Sequence, residues 1–341
     1  MKKVLFPLLC SVLSANALAA DGTPLNWGDY DDLVEAYCTG TLIAGRYVLT
    51  AAHCNDKGRI LFSDDTRQFA IARNDHPQYS SQDGYDVSIW TLAEPRQTTD
   101  IHFLADLTQD TLRDGDTLHA LGFGGTTSLT QATLTVDGSY KNVNSPMLIK
   151  TIGINNNGTE EGDSGGPQLD RDNKIVALTN AGVGDVSLTG ETTDYTIAVN
   201  LHYAKDFILD TINGWHYPTV VKGTGTQTIT VQSLHVNPTA DEARTDDGGN
   251  VTLIGGTCYG NNAINPFETC TYQVEANGSG TLYLSDSETI SINPRTPQPP
   301  SSGSNGNNVN SGGGSGGGGS LGLWSGMALF GLGLRRRLKR G

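Results

Sequence analysis

Between about residues 25 and 200 the apolar residues come in short runs, each no longer than a strand and closed by Gly, Asn or Asp. "CTGTLIAGRYVLT", "DVSIWTL", "TLHALGFGG", "MLIKTIGI" and "KIVALTNAG" are the clearest. Runs of this length, rich in β-branched residues and bounded by turn formers, favour an all-β sandwich or barrel over a helical bundle or alternating βαβ units. The composition agrees, with 43 glycines and only 17% charged residues. One segment departs from the pattern. In "LHYAKDFILDTING", Tyr203, Phe207, Ile208 and Ile212 recur near helical spacing, and Gly214 is expected to stop the helix. A lone helix closing a β run marks a domain end, at residue 216. From 217 to 294 the β pattern resumes in "TQTITVQSL", "GNVTLIGG", "ETCTYQVEA", "GTLYLSD" and "ETISIN". Five or more short strands in this space predict a small antiparallel, immunoglobulin-like β-sandwich. No catalytic constellation occurs there, so its expected role is binding or spacing.

The two ends of the chain read differently. "MKKVLFPLLCSVLSANALAA" has two lysines, an apolar run and small residues before a cleavage point. It is a secretory signal peptide, assigned to residues 1–19. Cys10 lies inside it and follows Leu9 rather than a small residue, which argues against lipid attachment. The remaining cysteines form two close pairs, Cys38/Cys54 and Cys258/Cys270. In an exported chain these suggest two disulfides; zinc is the alternative, although neither pair has Cys-x-x-Cys spacing. Residues 295–320 are Pro, Gly, Ser and Asn and form a flexible linker. The tail 321–341 is apolar over 321–334, with four glycines, and ends in "RRRLKRG". Fourteen helical residues span roughly 21 Å, short of the ~30 Å of a bilayer core. A plain anchor is one reading. The tail is also similar to the GlyGly-CTERM sorting signal of some Gram-negative bacteria. That resemblance implies transient inner-membrane association through 321–334, cleavage by a rhomboid-type protease, and a secreted or cell-surface product. The net charge of −14, with no basic stripe before the tail, excludes nucleic acid as a partner.

"TEEGDSGGPQL" places Ser164 among glycines with Asp163 before it and Pro167 after. Taken alone it is a surface turn. A nucleophilic serine needs a base and an orienting acid elsewhere. Upstream, "YVLTAAHC" puts His53 at the end of an apolar strand beside Cys54, and "GYDVSIWTL" puts Asp86 at the start of another. An acid buried there must be paired, and an imidazole is a suitable partner. The order His, Asp, Ser in these contexts resembles the trypsin/chymotrypsin-like serine protease family, over residues 20–216. "LGFGG" is similar to that family's Gly-Trp-Gly stretch, and "YTIAVNLHYAKDFI" looks like its last strand and helix. The resemblance implies two six-stranded antiparallel β-barrels and a terminal helix. It also implies a peptide-cleaving triad of His53, Asp86 and Ser164, with Gly162 and Ser164 forming an oxyanion hole. Protein or peptide substrates follow, with neither cofactor nor catalytic metal. An α/β-hydrolase esterase fails on order, because that fold places its nucleophile before the histidine.

Three departures from the family stand out. The position at the base of its primary specificity pocket is Gly158 rather than an acid, which points away from Arg or Lys before the cut. Thr179, Asn180 and Ala181 are expected along the opposite wall, with Asp194 near the rear and Glu160 and Glu161 at the rim. The family's pocket-loop disulfide is missing, since Glu160 stands where one cysteine would. No Ile-Val-Gly-Gly activation motif is present; "AADGTP" falls in its place. The expectation is that signal peptidase frees an amino group near Ala20 to pair with Asp163. The alternative to an active protease is a catalytically weak homologue acting as a surface binding protein. The triplets at Asn157, Asn250 and Asn277 and the histidines 76, 102, 119, 202, 216 and 235 carry no functional assignment.

Overall fold

A computed structural model describes residues 22–54, 59–80, 84–124, 128–139, 145–154, 158–186, 192–246 and 248–295. The signal peptide, Cys10, Asn157, the linker from 296 and the sorting tail lie outside the described residues. Among those described, no helix is long and apolar enough to cross a membrane.

The chain enters through a short strand, β1 (Thr23–Pro24). The first barrel contains β2 (Leu33–Glu35), β3 (Thr39–Ile43), β4 (Tyr47–Thr50), β5 (Arg59–Leu61), β6 (Arg67–Asp75) and β7 (Ser88–Leu92), closed in the order β2-β3-β4-β7-β6-β5. Val34, Leu42, Val48, Ile60, Phe62, Trp90 and Leu92 fill its interior. The second barrel contains β8 (Thr117–Gly122), β9 (Thr130–Ser139), β10 (Leu148–Gly153), β11 (Pro167–Leu169), β12 (Ile175–Val186) and β13 (Thr192–Asn200). Pairing of β8 with both β9 and β11 closes this sheet, and β1 adds at β9. The apolar runs of the sequence thus became two closed six-stranded antiparallel barrels, a trypsin-like fold without free edges in either ring.

The helix α1 (Lys205–Ile212) follows a 3-10 turn at Leu201–Ala204 and buries Ile208, Leu209 and Ile212. Its stop is Asn213, in the left-handed region at φ 40°, and not Gly214. Asn tolerates that conformation better than most side chains. Gly214 instead starts β14 (Gly214–His216).

Two four-stranded sheets follow. One has the order β14, β16 (Gly225–Leu234), β19 (Thr269–Ala276), β18 (Val251–Gly255). The other runs β15 (Val220–Val221), β21 (Thr289–Ile292), β20 (Gly280–Tyr283), β17 (Arg244–Thr245). In β19 the buried residues are every second one, Cys270, Tyr272, Val274 and Ala276, as a one-face-in strand requires. The expected all-antiparallel sandwich has one exception, because β15 pairs in parallel with β21.

The sandwich begins without a linker. β14 pairs directly with β16. Gln232 of β16 accepts from the Leu104 amide at 3.0 Å and donates to the Leu104 carbonyl at 2.7 Å, acting as a strand neighbour to the segment between the barrels. His216, fully buried, accepts from Ala44 N at 3.0 Å through Nδ1, and its Nε2 lies 3.0 Å from the His102 carbonyl. Glu288 accepts from the Trp215 amide at 2.7 Å. One apolar cluster runs from Leu49 and Leu121 between the barrels, through Ile208 and Trp215, to Tyr272 and Leu282.

Candidate active site

His53 follows strand β4 by a tight turn. The disulfide Cys38–Cys54 ties that turn to the start of β3. Because these sulfurs are bonded to each other, the grouping of Cys38, His53 and Cys54 is not a thiolate metal site. Cys258–Cys270 closes the second pair in the sandwich. Arg73 of β6 also fixes the turn, with its guanidinium donating to the carbonyls of Ala52 and, at 3.1 Å, Cys54.

Asp86 lies two residues before β7 and is only 4% exposed. Its carboxylate receives three donors. The His53 amide donates to Oδ1 at 2.7 Å, and Oδ2 lies 2.5 Å from His53 Nδ1 and 2.7 Å from Asn180 Nδ2. A buried carboxylate requires such partners. With Nδ1 carrying the proton toward Asp86, the other ring nitrogen, Nε2, is left with a lone pair. The His53 side chain is 39% exposed, so part of the imidazole is open to solvent.

Ser164 sits on a loop that two glycines permit, Gly162 at φ +106° and Gly165 at φ +78°. A Cβ at Gly165 would lie 2.1 Å from Thr50 Oγ1. Thr39 clamps this loop from the first barrel. Its amide donates to the Ser164 carbonyl at 2.9 Å and its hydroxyl to the Gly162 carbonyl at 2.9 Å. Among the described residues, neither the Gly162 nor the Ser164 amide donates to a protein acceptor. The Ser164 hydroxyl donates to the Asn180 carbonyl at 3.1 Å. Asn180 therefore touches Ser164 through its backbone and Asp86 through its side chain, drawing residues 53, 86, 164 and 180 into one cluster.

Asp163 turns the opposite way, into the protein. Its carboxylate accepts from Gly124 N at 2.6 Å and Glu160 N at 2.8 Å, and burial pushes its pKa up. A Cβ at Gly122 would stand 2.1 Å from Asp163 Oδ1, and one at Gly124 would stand 2.6 Å from its carboxyl. The "LGFGG" glycines thus make room for this acid. That role was readable only as a motif, because spacing alone does not say which side chain fills the gap.

The expected pocket wall divides. Thr179 is 1% exposed and its hydroxyl accepts from Gln168 at 3.3 Å, so it faces the barrel interior. Asn180 faces the acid of the cluster, and Ala181 is half-buried. Nothing lies within 4 Å of a Cβ built at Gly158. Thr159 and Thr196 meet through their hydroxyls at 2.7 Å. The side chain of Asp194 is not described. Neither Asn180 as a carboxylate donor nor Thr39 as a clamp was legible beforehand, since their neighbours are more than ninety residues away in sequence.

The family model for trypsin matches residues 27–208, more than half of the 341-residue chain. The chain belongs to the trypsin family. As such it is a serine endopeptidase, a hydrolase. A trypsin from Saccharopolyspora erythraea is 29% identical over 181 residues, which cover 44% of this chain and 77% of that one. Among solved structures, the secreted serine protease VesC of Vibrio cholerae aligns with a TM-score of 0.46 at 17% identity, over 80% of this chain and 71% of its own. Mouse neuropsin, a serine protease of the limbic system, aligns with a TM-score of 0.49 at 19% identity, over 56% and 99%. The VesB protease of V. cholerae gives 0.46 at 19% identity, over 80% and 98%.

Proposed function

We propose that this trypsin-family chain is a secreted endopeptidase using His53, Asp86 and Ser164 as its catalytic triad. The observation that carries the reading is the Asp86 carboxylate, which holds the ring and the amide of His53 together with Asn180. In the reaction, Ser164 Oγ rotates from Asn180 to His53 and attacks the scissile carbonyl carbon. Its proton passes to Nε2, and Asp86 stabilises the imidazolium. The carbonyl electron pair moves onto oxygen, which the amides of Gly162 and Ser164 receive. Losing one such donor typically costs roughly 2.7–4 kcal/mol. Collapse breaks the C–N bond, and the leaving amine takes the proton from Nε2. The acyl-enzyme is then hydrolysed by water activated in the same way.

The side chain before the cut is neutral in this reading, because Gly158 offers no carboxylate and the Thr159 and Thr196 hydroxyls nearby are uncharged. A cation buried there would lack a partner. Cleavage near Ala20 supplies the amino group that completes the Asp163 site. The tail delivers the protein to the cell surface after rhomboid-type processing, and the sandwich is an immunoglobulin-like accessory module. The test is labelling with a sulfonyl fluoride. Mature wild-type protein takes the label on Ser164, whereas Ser164→Ala takes none and loses hydrolysis while folding normally. An unlabelled wild-type protein favours the surface-binding alternative. N-terminal sequencing that places the mature start well past Thr23 removes the Asp163 amine.

A further inference from the structure

His76 is 7% exposed, and the mechanism above does not use it. It follows β6 directly and grips the segment that carries Asp86. Its amide donates to the Val87 carbonyl at 2.9 Å. Its ring stacks on Tyr85, with centroids 4.5 Å apart and planes within 13° of parallel. One residue therefore holds both chain neighbours of Asp86. Between those neighbours the Val87 amide donates to the Tyr85 carbonyl at 2.7 Å, a three-residue turn with Asp86 at its apex. Phe207 of α1 meets the same imidazole edge to face, at 5.1 Å and 64°.

The turn needs such a hold. Gly84 and Tyr85 both lie in the left-handed region, at φ +88° and +52°. Glycine suits the first position, where a Cβ would stand 2.6 Å from Met147 Sδ. The second is unfavourable for a residue with a Cβ, and persists only where its surroundings over-determine it. The His76 ring supplies that constraint. The ring is neutral: the Gln78 amide donates to Nδ1 at 3.2 Å, so the lone pair is there and the proton is on Nε2. Burial pushes its pKa down, which favours the same uncharged form. A neutral ring braces Tyr85 without setting a second cation beside Asp86, where it would compete with the imidazolium of His53.

We propose that His76 is a positioning residue for peptide hydrolysis: through Tyr85 and Val87 it fixes the turn that presents Asp86 to His53, and Phe207 ties that turn to α1. It touches neither the substrate nor the reacting atoms. The proposal rests on the triad reading above and adds a support behind its acid.

The test is steady-state kinetics on one peptide. Each rate is divided by the concentration of sites that a sulfonyl fluoride labels at completion, so that unfolded molecules do not count. His76→Ala and Tyr85→Gly remove the stack, and the glycine also relieves the strained backbone. Each is expected to lower kcat by about tenfold or more, since a misplacement of about 1 Å can cost about 100-fold. KM should change little, because the support acts on the chemistry and not on substrate binding. His76→Phe and Tyr85→Phe keep the stacked rings and are expected to keep most of kcat. A role in packing alone predicts otherwise: the variants lose labelled sites or melt earlier in urea, while kcat per site stays at the wild-type value. That result overturns the proposal. So does a loss carried by KM, or one as large in the phenylalanine variants as in His76→Ala. If His76→Ala yields no folded protein, Tyr85→Gly against Tyr85→Phe decides alone. Failure of the triad reading shows separately, as hydrolysis that survives in Ser164→Ala.

Discussion

At the scale of single residues, the arrangement around Asp86 makes Asn180 worth more than a wall of the pocket. Its amide is one of three donors to a carboxylate that is nearly out of contact with water. A hydrogen bond to a charged group contributes about 1.5–3 kcal/mol. Asn180→Ala should therefore lower kcat by about tenfold or more with KM little changed, since the side chain steadies the acid and not the substrate. Asn180→Ser, which keeps a donor, should recover part of the loss. Steady-state kinetics on one peptide checks both, and an effect confined to KM would return Asn180 to the pocket. His53, Asp86 and Ser164 could be singled out in the sequence because they sit in short, distinctive contexts. The donor on Asp86 was not, because "LTNAG" reads only as a strand until β12 is paired.

Among the elements, the barrels were legible and their joints were not. Run length and turn residues are local, so strands could be read directly. The pairing of β15 with β21 in parallel and the start of the second sheet at Gly214, opposite Leu234, depend on partners distant in the chain. The cysteine pairs were readable because they are close, separated by 16 and 12 residues. The first of them fixes the turn that bears His53, so its loss should act on both stability and chemistry. Cys38→Ser/Cys54→Ser should unfold about 3 kcal/mol more easily, as expected for a loop of this size, and should also react more slowly with a sulfonyl fluoride. Denaturant melts and labelling rates measure the two effects separately. A variant that loses stability but labels at the wild-type rate would show that Arg73 holds the turn alone.

For the whole molecule, the seam between barrel and sandwich makes stability depend on acid. Burial pushes the His216 pKa down to about 4, so in the fold the ring is neutral, while an unfolded histidine titrates near 6.5. Between those values the unfolded chain holds the extra proton, and stability falls as pH drops from about 6.5 toward about 4, by about 3 kcal/mol from this group. His102, raised by its Asp32 partner despite its burial, works the other way. It stabilises the fold at low pH and loses that contribution as pH rises through its folded value. Urea titrations across this range should show the acid-side slope for the wild type and a shallower one for His216→Gln; equal slopes would remove the ring as its source. The same seam bears on how such a chain can be recombined. A splice between 212 and 225 that joined these barrels to another module would leave the amides of Ala44 and Leu104, and the carbonyl of Leu104, with no acceptor or donor in the new neighbour. Descent by shuffling is thereby discouraged at this border, and the two halves are expected to be inherited as one piece.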